Sequence, residues 1–159
     1  MILWFAAGAV FVVWNVFQSP GLDFRAIVVG ALLPLAIDAP LVRQAYAHTL
    51  LVPSVALVAV MLGTAGTGRR LLRRRLLGVP IGWLCAIVLA GSWTSREVFW
   101  WPVAGSLPDV SLLPSWPVVV VEEALGAGAA AWAWVRFGLA DPARRARFWR
   151  TGRLEVVSR

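Results

Sequence analysis

Five apolar runs, at about 2–17, 24–42, 46–62, 76–93 and 116–137, constrain this chain more than any motif does. A membrane-spanning helix needs about 20 mostly apolar residues, within a range of about 17–25, so each run qualifies or nearly does. The composition points the same way. Of 159 residues, 60% are hydrophobic and 14% charged, whereas soluble domains carry about 25% charged residues. A core of this size cannot hide so much apolar surface from water, so lipid must cover part of it. The expected fold is all-α, a polytopic integral membrane helical bundle of about five transmembrane helices over residues 1–140. A basic tail at 141–159 follows.

The polar residues within the runs are few. The first run is short, contains Asn15 and closes on "QSPG". The second holds Pro34, Asp38 and Pro40, and the third holds His48 near its start and Pro53. The fifth carries the adjacent acids Glu122 and Glu123. No internal repeat is visible. The N-terminal "MILWFAAGAV" lacks the basic region and the cleavage pattern of a signal peptide, so the first run is expected to remain as a span.

The charge pattern sets the orientation. All 15 basic residues are arginine, and the formal net charge is +7. Such a charge could serve nucleic acid, but the arginines sit at the ends of apolar runs, where they set membrane topology. Arg69, Arg70, Arg73, Arg74 and Arg75 lie between the third and fourth runs. Arg136 lies at the end of the fifth, and Arg144, Arg145, Arg147, Arg150, Arg153 and Arg159 follow it. The positive-inside rule keeps both groups cytoplasmic, which leaves 95–114 outside, the N-terminus outside and the C-terminus cytoplasmic. The expected location is the plasma or inner membrane, with no nucleic-acid partner.

The external segment, with Trp100 and Trp101 beside Pro102, suits the membrane–water interface, where indole is apolar in body and polar at one edge. In the tail, Asp141 reads as an N-cap, Pro142 as the first helical residue and Gly152 as the stop. Such a helix, bearing Phe148 and Trp149, could lie on the anionic leaflet. Its candidate lipid-headgroup residues are Arg144, Arg145, Arg147 and Arg150; a solvated tail is the plainer alternative.

A charge at mid-membrane costs about 2.5–3.5 kcal/mol on insertion scales, so it normally faces a polar interior. Asp38 and His48 lie near the outer ends of neighbouring runs, and the short "LVRQAYA" connection could bring them together. Arg43 or Arg96 could pair with these acids. Glu122 and Glu123 are about 100° apart on a helix, so one can point inward while the other does not. A polar cluster that ties helices together, or groups reaching to the interface, would account for the same residues. Cys85, the single cysteine, permits no internal disulfide and reads as a lone buried thiol.

Three weaker signals carry little. "GTAGTGRR" at 63–70 has phosphate-loop spacing, but Arg69 and Arg70 replace the Lys-Ser/Thr pair and no strand precedes it. Ser92, Thr94 and Ser95 offer hydroxyls without a nucleophile-elbow pattern. Gly126 and Ala130 put small residues four apart, which allows close helix packing within the chain or between copies of a homo-oligomer.

Taken in order, "GALLPLAIDAP", "AHTLL", "LLGVPIGWLCAIVLAGSWT", "VFWWPVAG" and "GLADPARRARF" resemble the membrane-bound metal-dependent hydrolases, a family of small bacterial inner-membrane proteins, and above all their actinobacterial relatives. The resemblance covers most of the chain, and the ordered set carries it rather than one motif. It implies a site of two aspartates, a histidine beside a hydroxyl residue, and a histidine and an aspartate four apart on a later helix. It also implies a divalent metal such as zinc that lowers the pKa of a bound water. Asp38 matches the second aspartate, His48 with Thr49 the histidine–hydroxyl pair, and Gly91 with Trp93 the end of the later helix. Leu35 stands where the first aspartate is expected, and Ala86 and Ala90 where the later histidine and aspartate belong.

Two readings follow. In the first, the chain is a degenerate, non-catalytic member of such a family, acting through lipid or partners. In the second, it is an active hydrolase on a lipid-like or envelope substrate, with Asp38, His48 and Glu123 as metal ligands. Catalytic zinc normally keeps three protein ligands, and the replacements at 35, 86 and 90 favour the first reading. A transporter is weaker still, given so few intramembrane polar groups.

Overall fold

The computed structural model describes residues 1–18, 21–41, 43–44, 46–66, 68–106, 110–111 and 113–156. They form an all-α protein. Helix α1 spans Ile2–Phe17, α2 Phe24–Asp38, α3 Leu51–Gly63, α4 Arg70–Leu76, α5 Gly78–Leu89, α6 Arg96–Phe99, α7 Trp116–Arg136 and α8 Pro142–Thr151. Short 3-10 turns lie at Ala39–Leu41, Tyr46–His48 and Ser92–Thr94. Two-residue segments β1 (Arg43–Gln44) and β2 (Val110–Ser111) pair antiparallel, with Arg43 opposite Ser111 and Gln44 opposite Val110.

Local chemistry explains where the helices stop. Helix α1 ends where Gln18 turns left-handed, at φ 46°. The Asp23 side chain accepts from Arg25 N at the start of α2. The second apolar run predicts helix as far as Val42, but α2 ends at Asp38 and tightens into the 3-10 turn containing Pro40, which has no N–H to continue the ladder. The third run predicts a start at Tyr46. Instead α3 begins at Leu51, with Pro53 in its first turn, where a missing N–H costs least. Helix α5 closes at Leu89, shortly before Gly91 at φ 68°. The tail helix has the expected boundaries: Asp141 accepts from Ala143 N at 2.9 Å, Pro142 is the first helical residue and Gly152 takes φ 70°.

Helices α1, α2, α5 and α7 form the centre, with α2 packed along α5 and α1 between α2 and α7. Glycines set the closest approaches. A Cβ at Gly82 would lie 2.0 Å from Ile27 O, and one at Gly30 2.0 Å from Val79 O, so α2 and α5 touch backbone to backbone. Gly126 of α7 meets α1 in the same way, since its Cβ would lie 2.4 Å from Trp4 N. Phe5, Val13, Trp14, Phe24, Ile27 and Phe137 fill the core between them. The tail folds back onto this core through the buried Leu154 and the partly buried Phe148.

Of the five expected spans, one helix among the described residues, α7, is long and apolar enough to cross a membrane by itself. Only 6% of its apolar window is buried, so that window faces outward instead of into a protein core. Helices α1 and α3 are apolar but shorter. Prolines and glycines cut the remaining runs into pieces below the usual spanning length.

A candidate polar site at one end of the bundle

Asp38 is the last residue of α2, and His48 ends the 3-10 turn that leads into α3. Their side chains are 1% and 3% exposed, and His48 Nδ1 lies 2.7 Å from Asp38 Oδ2. In this pair Nδ1–H donates and the Asp38 carboxylate accepts, which leaves Nε2 as the ring nitrogen away from the acid. Nε2 has no hydrogen-bond partner among the described residues.

The loop that presents His48 is braced from several sides. The buried Trp83 Nε1 of α5 donates to Ala47 O at 2.7 Å, and Leu50 N donates to Phe99 O at 3.0 Å. Thr49 Oγ1 donates to Tyr46 O at 2.8 Å, and Tyr46 meets Trp101 edge to face with centroids 5.2 Å apart. This bracing holds the imidazole in one orientation, as a carboxylate partner does for a ligating or basic histidine.

His48 lines a cavity of about 470 Å³. Leu35, Ala90, Gln44, Thr94 and Glu122 share its wall. The buried Ser92 hydroxyl donates to Gln44 Oε1 at 3.4 Å. Glu122 Oε2 is buried without a hydrogen-bond partner among the described residues. A buried carboxylate oxygen left so is costly unless a ligand or water reaches it.

The sequence points to Glu123 as the acid of the site, whereas the cavity is lined by its neighbour. Glu123 pairs with the Met1 amino group and accepts from Leu3 N at 3.3 Å. A signal for Glu122 is present in the sequence: it lies four residues before Gly126, on the same helix face, and Gly126 is the glycine that packs against α1. Arg96 has no carboxylate partner among the described residues, and the Arg43 side chain lies outside them. Ala86 is fully buried in the core.

Among the described residues, no three His, Cys, Asp or Glu side chains group to hold a metal ion. This donor set does not fit the three-ligand catalytic zinc that the sequence resemblance implies. Of the tail arginines, Arg147 pairs with Glu155 at 3.0 Å, Arg144 lies 3.9 Å from Asp141, and Arg145 stacks 5.8 Å from the Trp134 ring centre. Arg150 has no carboxylate partner among the described residues. In comparisons with known proteins, the chain matches no family model, no curated protein and no solved structure.

Proposed function

We infer that the chain is a multi-spanning membrane protein whose His48-lined cavity is a non-catalytic binding site derived from a metal-dependent hydrolase centre. One observation carries this reading. Leu35 and Ala90, which stand where the resemblance expects two acidic ligands, line the same cavity as His48. Two of the three replaced positions thus share a cavity with His48, whereas the third, Ala86, packs in the core. The wall combines Leu35, Phe5 and Val118 with His48, Gln44 and Glu122, a mixture that suits the polar end of an amphiphile.

The multi-spanning arrangement is supported by the outward apolar residues on the shorter helices. Val55, Val58, Met61 and Leu62 of α3 are at least 50% exposed, as is Val16 of α1. Left in water, such patches would drive association. With the arginine-rich segments inside, the His48-lined cavity lies toward the outer side. A fluorescent-protein fusion at the C-terminus is then expected to be bright, and a periplasm-dependent phosphatase fusion inactive.

Metal content tests the site. The protein, purified in mild detergent without chelator, is compared with His48→Ala and Asp38→Ala by inductively coupled plasma mass spectrometry. Well-folded protein without stoichiometric metal supports the binding-site reading. Near-stoichiometric zinc or another divalent ion, lost in both variants, would overturn it in favour of an active hydrolase.

A further inference from the structure

At the opposite end of the bundle from Asp38, a second cavity of about 240 Å³ is walled by three separate parts of the chain. The turn before α2 contributes Asp23, α4 contributes Arg74 and Arg75, and the end of α8 contributes Arg150 and Arg153. Among the described residues, none of these four arginines has a carboxylate within salt-bridge distance. The one acid in the wall is already engaged. Asp23 Oδ2 accepts from Arg25 Nη2 at 2.9 Å, and Oδ1 accepts from Arg25 Nε and N at 3.1 Å each.

The wall is built into the fold and is not a chance meeting of a loose tail. Phe24 N donates to Gly152 O at 2.8 Å, and Arg25 Nη1 donates to Trp149 O at 2.5 Å. Gly152 lies so close that a Cβ there would fall 1.8 Å from Asp23 Oδ1. These contacts fix the end of α8 on the start of α2, and the cavity wall brings that end together with α4. Four like charges held around one cavity repel one another, and an anion placed among them relieves that repulsion. Guanidinium groups match phosphate oxygens with paired N–H donors.

We propose that Arg74, Arg75, Arg150 and Arg153 form a binding site for a phosphate-bearing anion, either the headgroup phosphate of an anionic lipid or a free phosphate group. The site differs from the one expected on the exposed tail face, because Arg144, Arg145 and Arg147 have partners within the chain. The lipid source rests on the membrane reading, whereas the free-phosphate source does not. The proposal is independent of the His48-lined cavity.

Full-length protein in detergent is titrated with inorganic phosphate by calorimetry, and with phosphatidylglycerol against phosphatidylcholine by native mass spectrometry. The pair Arg150→Gln/Arg153→Gln is expected to weaken binding at least tenfold. Arg144→Gln/Arg145→Gln, which removes the same charge from the same helix, is expected to stay within twofold. Should the first pair fail to fold, Arg74→Gln/Arg75→Gln removes the other wall. Phosphate binding identifies a free-anion site, and retention of phosphatidylglycerol alone identifies a lipid site. The proposal is overturned if wild-type protein binds neither probe, if the wall variants bind as well as wild type, or if the control pair loses as much as they do.

Discussion

His48 Nδ1 sits 2.7 Å from Asp38 Oδ2, with both side chains almost wholly buried and ten positions apart in the chain. The pair ties the end of α2 to the turn before α3. Removing the Asp38 carboxylate leaves the buried His48 Nδ1 without its acceptor, at about 1–3 kcal/mol for an unsatisfied buried group, and removing His48 takes one partner from Asp38. Asp38→Ala and His48→Ala are therefore each expected to lower the melting temperature in detergent. The double variant should lose less than the two singles combined, with a coupling of about 0.5–3 kcal/mol. Additive losses would show that the two groups act separately.

Leu35 and Ala90 face the His48 cavity, so acidic side chains at these positions would share it with the imidazole. Leu35→Asp/Ala90→Asp is expected to acquire a divalent metal that wild-type protein does not retain, and adding His48→Ala should abolish the gain. Zinc content of the folded variants checks this. A folded double variant without metal would count against a common ancestral centre. Ala86→His is a poor addition, because Ala86 is fully buried and a larger side chain would overpack the core, at about 1–3 kcal/mol.

The contact between α2 and α5 depends on the absence of side chains at Gly30 and Gly82. A Cβ at Gly82 would collide with the Ile27 carbonyl, so Gly82→Val is expected to abolish monodisperse folded protein in size-exclusion chromatography. A methyl group at Gly128, on α7, would meet nothing within 4 Å. Gly128→Ala should be neutral or gain up to about 1 kcal/mol from helix propensity. Equal effects at the two positions would refute the close-packing account.

Asp23 holds Arg25, which donates to Trp149 O of the tail, and the ionisation of Asp23 gives that link a pH dependence. Burial pushes its carboxyl up, but the hydrogen bonds and charge of Arg25 together outweigh burial and hold it below its ordinary value. Its contribution is thus present above the unfolded carboxyl range and is lost only as pH falls through the depressed folded value. Hydrogen-exchange protection over 142–156, relative to the intrinsic rate at each pH, is expected to be high at neutral pH and to fall on acidification. Asp23→Asn should show fast exchange already at neutral pH. Unchanged exchange in that variant would mean that Gly152 and Trp149 dock the tail without the ion pair.

Features that depend on one segment at a time are legible in the amino-acid sequence. Apolar runs give the helices their places, Asp141, Pro142 and Gly152 give α8 its ends, and the arginine clusters mark one end of the bundle. Each follows from hydropathy, capping or backbone conformation within a few residues. Helix lengths are less readable, because Pro40, Pro53 and Gly91 divide the apolar runs and leave α7 alone at full spanning length among the described residues. Which side chains share a cavity is settled only by the packing of the helices. Glu122 rather than Glu123 reaches the His48 site because Gly126 turns that face of α7 onto α1. Leu35 and Ala90 share a wall because α2 and α5 approach backbone to backbone at Gly30 and Gly82. Arg150 and Arg153 face Arg74 and Arg75 because Asp23, Arg25 and Gly152 fold the tail back. These meetings depend on how helices rotate and approach one another, which single-segment patterns do not encode.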